Sequence, residues 1–224
     1  MSEPPKRVFV TGGTGGIGVA TCEALANAGL RPLIGYRNDE GAARAIASRC
    51  GGDAIHCDMM NANSIAGASD AIVAQGHLAG VVLAASPPPT LAPFSRVSLE
   101  DMQAQWLTNV AGPHLLLQRL VRQCFQPRKT GVVLGILTAA MGVDGRPPAR
   151  SMSAYVIGKH GLFGLLSVLA AEYPWLRVRT IRPGYVRTRM LDVFDERFLD
   201  MQAEVTPIRS AEDVAQSIMA ELAL

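Results

Sequence analysis

Aromatic residues make up only 5% of the 224-residue chain, and charged residues only 18%. So few rings cannot build a stacking platform for single-stranded nucleic acid. The 21 Lys and Arg against 19 Asp and Glu leave a net charge of +2, too even for a polyanion-binding surface. No nucleic-acid partner is expected. Cysteine is scarce: Cys22, Cys50, Cys57 and Cys124 form no CxxC pair. They read as reduced thiols of a cytoplasmic protein. Cys50, His56, Cys57 and Asp58 crowd together, but their spacing fits no ligand pattern, so no metal is expected. Apolar runs are short and interrupted, and none reaches the roughly 18 residues of a membrane span. The opening MSEPPKR also lacks the apolar stretch of a signal peptide. No membrane partner is expected.

The chain has apolar residues in quantity, 49% of the total, which excludes disorder and permits one large core. They fall in an alternating order. RVFVT (7–11), LRPLIGY (30–36), DAIHCD (53–58), AGVVLAAS (79–86), TGVVLGILT (130–138) and WLRVRTI (175–181) read as strands. Helices are expected over 17–28, up to Cys50, over 63–75, 99–124 and 152–172, and in a tail broken near Pro207. Parallel strands joined by right-handed helical crossovers place helices on both faces. The fold class is therefore α/β: a single-domain, doubly wound parallel sheet, with its ligand site beyond the carboxyl ends of the strands.

Two motifs carry chemistry. VTGGTGGIG (10–18) follows the first strand and opens a helix. Glycines there allow a tight turn and close backbone approach to a pyrophosphate, and the helix start offers free N–H donors. The string fits GxGxxG through Gly13, Gly15 and Gly18, TGxxGxxG through Gly12, Gly15 and Gly18, and TGxxxGxG through Gly12, Gly16 and Gly18. The second motif is Tyr155-Val156-Ile157-Gly158-Lys159. Tyr and Lys at i and i+4 share a helix face. A nearby ammonium favours phenolate, so Lys159 is expected to lower the Tyr155 pKa.

Together these motifs resemble the short-chain dehydrogenase/reductase family, over nearly the whole chain and in order. The resemblance implies a Rossmann fold and hydride transfer between a nicotinamide and a carbonyl or alcohol carbon. It assigns Gly12, Thr14, Gly16, Ile17 and Gly18 to the cofactor turn and Asp58 to the adenine. Ala84 and Ala85 lie where the cofactor approaches the fourth strand. Pro183, Gly184, Val186 and Thr188 of RPGYVRT reach the nicotinamide and phosphate side. Tyr155 becomes the acid–base, Lys159 the ribose ligand, and Asn109 the holder of a relay water. The residues from about 189 to 224 are expected to form a lid.

The chain departs from the family pattern in three places. Thr138 stands where a serine is usual, and either fills that role or leaves it unfilled. Leu83-Ala84-Ala85-Ser86 replaces Asn-Asn-Ala-Gly, a spelling that leans toward the sugar-epimerase branch, which is about a hundred residues longer and lacks RPGYVRT. The usual last strand is missing, which puts the common tetramer in doubt. A homodimer through the 99–124 and 152–172 helices is expected instead. At the end of the second strand, Tyr36-Arg37 replaces the acid that would bind an NAD ribose, and Arg37 suits a 2′-phosphate. NADP(H) is therefore favoured over NAD(H). The expected activity is an NADP(H)-dependent carbonyl reductase or alcohol dehydrogenase acting on a small molecule. The alternative is a weak or inactive nucleotide-binding protein, a redox sensor or scaffold.

Overall fold

The computed structural model describes residues 5–142 and 145–224. Most of the opening MSEPPKR, residues 1–4, and residues 143–144 lie outside the described residues. Six strands form one parallel sheet: β1 (Arg7–Thr11), β2 (Arg31–Tyr36), β3 (Asp53–His56), β4 (Leu78–Leu83), β5 (Val132–Ile136) and β6 (Arg177–Ile181). Their order is β3-β2-β1-β4-β5-β6. Every residue of β4 and β5 is buried, as β-branched strands covered on both faces require. Alternate side chains feed two cores. Phe9, Leu33, Val81 and Val133 face one side, packed by α3 (Ala62–Ala74), α5 (Gly112–Leu120) and α6 (Ser153–Glu172). Val8, Val10, Ile34, Val82 and Val132 face the other. There they meet α1 (Gly16–Asn27), α2 (Glu40–Cys50) and α8 (Ala211–Leu222).

The strand order reverses between β1 and β4, which opens a crevice at their carboxyl ends. The Thr11 hydroxyl pins this point by accepting from the Ala84 and Ala85 N–H groups at 3.0 and 3.1 Å. On the other side, β5 and β6 stay paired past their ends, with Leu137 N–H donating to Ile181 O and Ala139 N–H to Pro183 O.

The helix predicted over 99–124 is one rod with two wide turns. α4 (Leu99–Trp106) passes through a π turn, Leu107–Ala111, into α5, and a second π turn spans Val121–Phe125. In the first, Gly112 N–H reaches Leu107 O, one residue further than an α-helix allows. Such insertions re-aim side chains at functional sites, and Asn109 sits in this one. α6 corrects the expectation that no segment matches a membrane span. Its length and composition suffice for one, but Tyr155, Lys159, Leu162 and Leu166 on one face are packed into the protein.

The sheet has two edges. β3 is four residues long, with Asp53 paired to Arg31. Along β6, Arg177 donates to the Leu222 carbonyl at 2.9 Å, and Arg179 lies 3.7 Å from Glu221.

Candidate active site

The glycine-rich turn folds as its spacing demands. Gly12 has φ +62°, and a Cβ there would lie 2.8 Å from Ala85 Cα. Gly18 packs onto the Gly12 carbonyl, and a Cβ at Gly16 would collide with the Thr188 methyl. Thr188 of the RPGYVRT segment is thus seated on the start of α1. Gly15 caps that helix without a side chain, and no acid occupies its first turn. The N–H groups there face an open approach suited to an anion. Thr14 lies in the turn, half-buried.

A cavity of about 320 Å³ opens beside this turn. Ile17, Ala84, Thr138, Tyr155 and Lys159 line it, as do Pro183, Gly184, Val186 and Thr188. Five of the separate segments singled out in the sequence therefore meet at one hollow. Ala85 lies just behind it, against Gly12. Asp58 sits two residues beyond β3, its carboxylate accepting from Met60 N–H at 2.9 Å. Arg37 is exposed beyond β2, and no carboxylate among the described residues pairs with it. The acids that follow are engaged elsewhere: Asp39 caps Ala42 N–H and Glu40 holds Arg44. Arg146 lines the cavity, while Arg150, Arg187 and Arg189 are exposed outside it.

Tyr155 and Lys159 are buried one turn apart on α6, and the Lys159 Nζ lies 5.7 Å from the Tyr155 ring centroid. The ammonium donates to the Ile136 carbonyl at 2.8 Å. Burial pulls its pKa down from 10.5 to about 7. Burial raises the Tyr155 phenol, and a hydrogen bond with the Thr138 side chain opposes that rise. The expected lowering of the Tyr155 pKa by Lys159 does not set its direction here: burial raises the phenol, and the effect opposing that rise comes from Thr138. The Thr138 hydroxyl also accepts from Ala140 N–H at 3.2 Å, which fixes it at the strand end facing the phenol.

Asn109 lies behind this pair, with its Nδ2 only 3.4 Å from where a Cβ on Gly158 would sit. Nδ2 donates to the backbone and side-chain oxygens of Gln105. Its Oδ1 is buried without a partner, as is Thr108 Oγ1 beside it. Buried acceptors are rarely left empty, so this one marks a place for a donor.

Comparison with known proteins bears on this geometry. A family profile described as Enoyl-(Acyl carrier protein) reductase matches residues 12–222. The chain is 33% identical over 207 residues to the 2,5-dichloro-2,5-cyclohexadiene-1,4-diol dehydrogenase of Sphingobium indicum, over 90% of this chain and 79% of that one. A short-chain dehydrogenase/reductase from Serratia marcescens superposes with a TM-score of 0.85 at 24% identity, covering 96% and 90% of the two chains. The chain belongs to the short-chain dehydrogenase/reductase family. The fold also matches that of 3-ketoacyl-(acyl-carrier-protein) reductase from Brucella melitensis, solved with NADH, with a TM-score of 0.86 at 20% identity over 97% and 90%.

As a short-chain dehydrogenase/reductase the protein is an oxidoreductase, and two residues of its site were not evident from sequence. Thr11 reads only as the last residue of a strand, and its grip on β4 depends on strand order. Gln105 reads as one polar position on a helix, yet it is buried and bonded to Asn109. The lid expected over 189–224 is corrected at its far end, where α8 packs into the core with Val214, Ile218 and Leu222 buried against the sheet. Met190, Leu191 and Phe194 cover the cavity from the side. Tyr185, Phe194 and Phe198 form an aromatic cluster there. α7 (Glu196–Val205) follows, with no buried residue.

Proposed function

We propose that the protein is an NADP(H)-dependent dehydrogenase/reductase that interconverts a small carbonyl and its alcohol. The convergence of Tyr155, Thr138 and Lys159 on one cavity beside the glycine turn carries this reading. A nicotinamide cofactor suits the residues present: the cradle at Gly12, Gly16 and Gly18 has no room for side chains, and the start of α1 is free for phosphates. Bound there, the cofactor supplies or accepts the hydride. Tyr155 gives its phenolic proton to the carbonyl oxygen in reduction and takes it back in oxidation. Thr138 orients the phenol and shares the substrate oxygen. Lys159 holds the ribose hydroxyls. Asn109 Oδ1 accepts from a water that refills the proton. Asp58 borders the adenine, and Arg37, exposed and unpaired, faces a 2′-phosphate.

The walls supplied by Met152, Met190, Leu191 and Phe194 favour a compact, largely apolar alcohol or ketone. The cyclic diol named for the Sphingobium relative is of that kind. Residues 189–206 act as the lid. The bond between Thr138 and Tyr155 speaks for turnover rather than for a silent nucleotide binder. The outer faces of α4 and α6 leave Trp106, Ile157 and Val168 exposed. This is the surface on which a second copy would pack, giving a homodimer, and four buried unpaired thiols suit the reducing cytoplasm.

The test pairs cofactor titration with one variant. NADPH should bind the wild type more tightly than NADH. Tyr155→Phe should bind NADPH like the wild type yet show no oxidation of it with a panel of cyclic and linear ketones. Turnover in Tyr155→Phe equal to that of the wild type would overturn the assignment.

A further inference from the structure

One side chain joins the loop after β4 to the π turn that holds Asn109. Gln105 is 3% exposed, although its neighbours Gln103 and Trp106 face solvent. Its Nε2 donates to the carbonyls of Pro87 at 3.3 Å and Pro88 at 3.0 Å. A carbonyl only accepts, so the two prolines decide which way the amide points. The nitrogen faces the loop and the oxygen faces the helix. That oxygen accepts from Asn109 Nδ2 at 2.9 Å, and the second Nδ2 proton goes to the Gln105 backbone carbonyl at 3.1 Å. Both Asn109 donors are therefore spent. Turning the Asn109 amide over would set its oxygen against two other oxygens and forfeit both bonds.

We infer that Gln105 is a positioning residue. It fixes the Asn109 amide so that Oδ1 is the free buried acceptor, and the Pro87 and Pro88 carbonyls fix its own orientation in turn. The loop needs such a donor, because three consecutive prolines supply carbonyls but no N–H groups. The inference rests on the reading of Asn109 as the water holder, and the test separates the two.

The first measurement uses cofactor-free protein labelled with [15N]asparagine, the Asn109 amide being the signal lost in Asn109→Ala. Its protons should exchange slowly in the wild type and about tenfold faster or more in Gln105→Met. In turnover, Gln105→Met should lose about tenfold to a hundredfold in kcat, with the NADPH Kd unchanged within about twofold. The double variant Gln105→Met/Asn109→Ala should be no slower than Asn109→Ala, since a residue acting only through Asn109 has nothing left to act on. Gln105→Glu checks a misfolded Met variant. A protonated glutamic acid can still donate to Pro88 and accept from Asn109, so its kcat relative to the wild type should recover as pH falls. Unchanged amide exchange in Gln105→Met, or additive losses in the double variant, would overturn the inference. If Asn109→Ala alone turns over like the wild type, the relay reading fails, while amide exchange still decides the role of Gln105.

Discussion

Lys159 carries its charge inside the protein on a single hydrogen bond, to the Ile136 carbonyl. Its pKa of about 7, against an ordinary 10.5, comes from burial. An unfolded chain keeps the ordinary value. Between those two values the unfolded chain holds a proton that the folded chain has released. Stability therefore rises with pH across that window, by about 1.4 kcal/mol per pH unit. Below about pH 7 both states are protonated and the whole penalty stands, about 5 kcal/mol. The four thiols, all raised by burial, act with the opposite sign at higher pH. Burial raises Cys22 and Cys57 from 9.0 to about 12, so the stability they lend is lost as pH climbs from 9 towards 12. The range from pH 7 to 9 isolates the lysine.

Lys159→Met keeps the length and removes the charge. It also strands the Ile136 carbonyl, at a cost of about 1–3 kcal/mol. The cofactor-free variant should thus be more stable than the wild type by about 2–4 kcal/mol near pH 7. The advantage should shrink to about zero near pH 9, where only about 2 kcal/mol of the penalty remains. Guanidinium unfolding at several pH values reads the difference directly. A gap that stays flat from pH 7 to 9 would refute the buried, depressed ammonium.

Arg37→Ala should erase most of an NADPH-over-NADH preference of about 10- to 150-fold, the worth of one charge-assisted hydrogen bond, with NADH binding little changed; fluorescence titration of both nucleotides checks it, and tighter NADH binding by the wild type would reverse it. Thr138→Ala should lower kcat by about tenfold to a thousandfold while Thr138→Ser is tolerated, and steady-state kinetics with a responsive ketone decide between them. Gly16→Ala drives a methyl into Thr188 and should cost about 1–3 kcal/mol and weaken NADPH binding. Adding Thr188→Ser should restore part of both, as a thermal melt and a titration would show.

Much of this architecture is legible in the chain itself. Runs such as RVFVT and GVVLGI are β-branched and apolar throughout, so strands buried on both faces announce themselves, and all six fall within two or three residues of the expected bounds. The glycine turn and the Tyr155–Lys159 pair depend on local spacing and were equally readable. Properties that depend on tertiary depth were not. Nothing in the sequence says that Lys159 sits 2% exposed; its depressed pKa follows from that depth, and the raised Tyr155 follows from the phenol's own burial. The π turn at Leu107–Ala111 is invisible because α and π turns use the same residues. Gln105 was overlooked because its role exists only where the proline loop lies against α4.

The two rims of the sheet also bear on how the protein behaves in company. A parallel sheet assembled from distant segments forms slowly, and each unpaired rim can meanwhile recruit a strand from another molecule. One rim, β3, is only four residues long and offers little to copy. The other, β6, presents Arg177 and Arg179 on alternate positions, both anchored to the end of α8. A second chain offering its own β6 would bring guanidinium against guanidinium, which disfavours strand pairing. The charge on that rim therefore works as a guard against aggregation, steering any self-association away from the sheet and onto the helices.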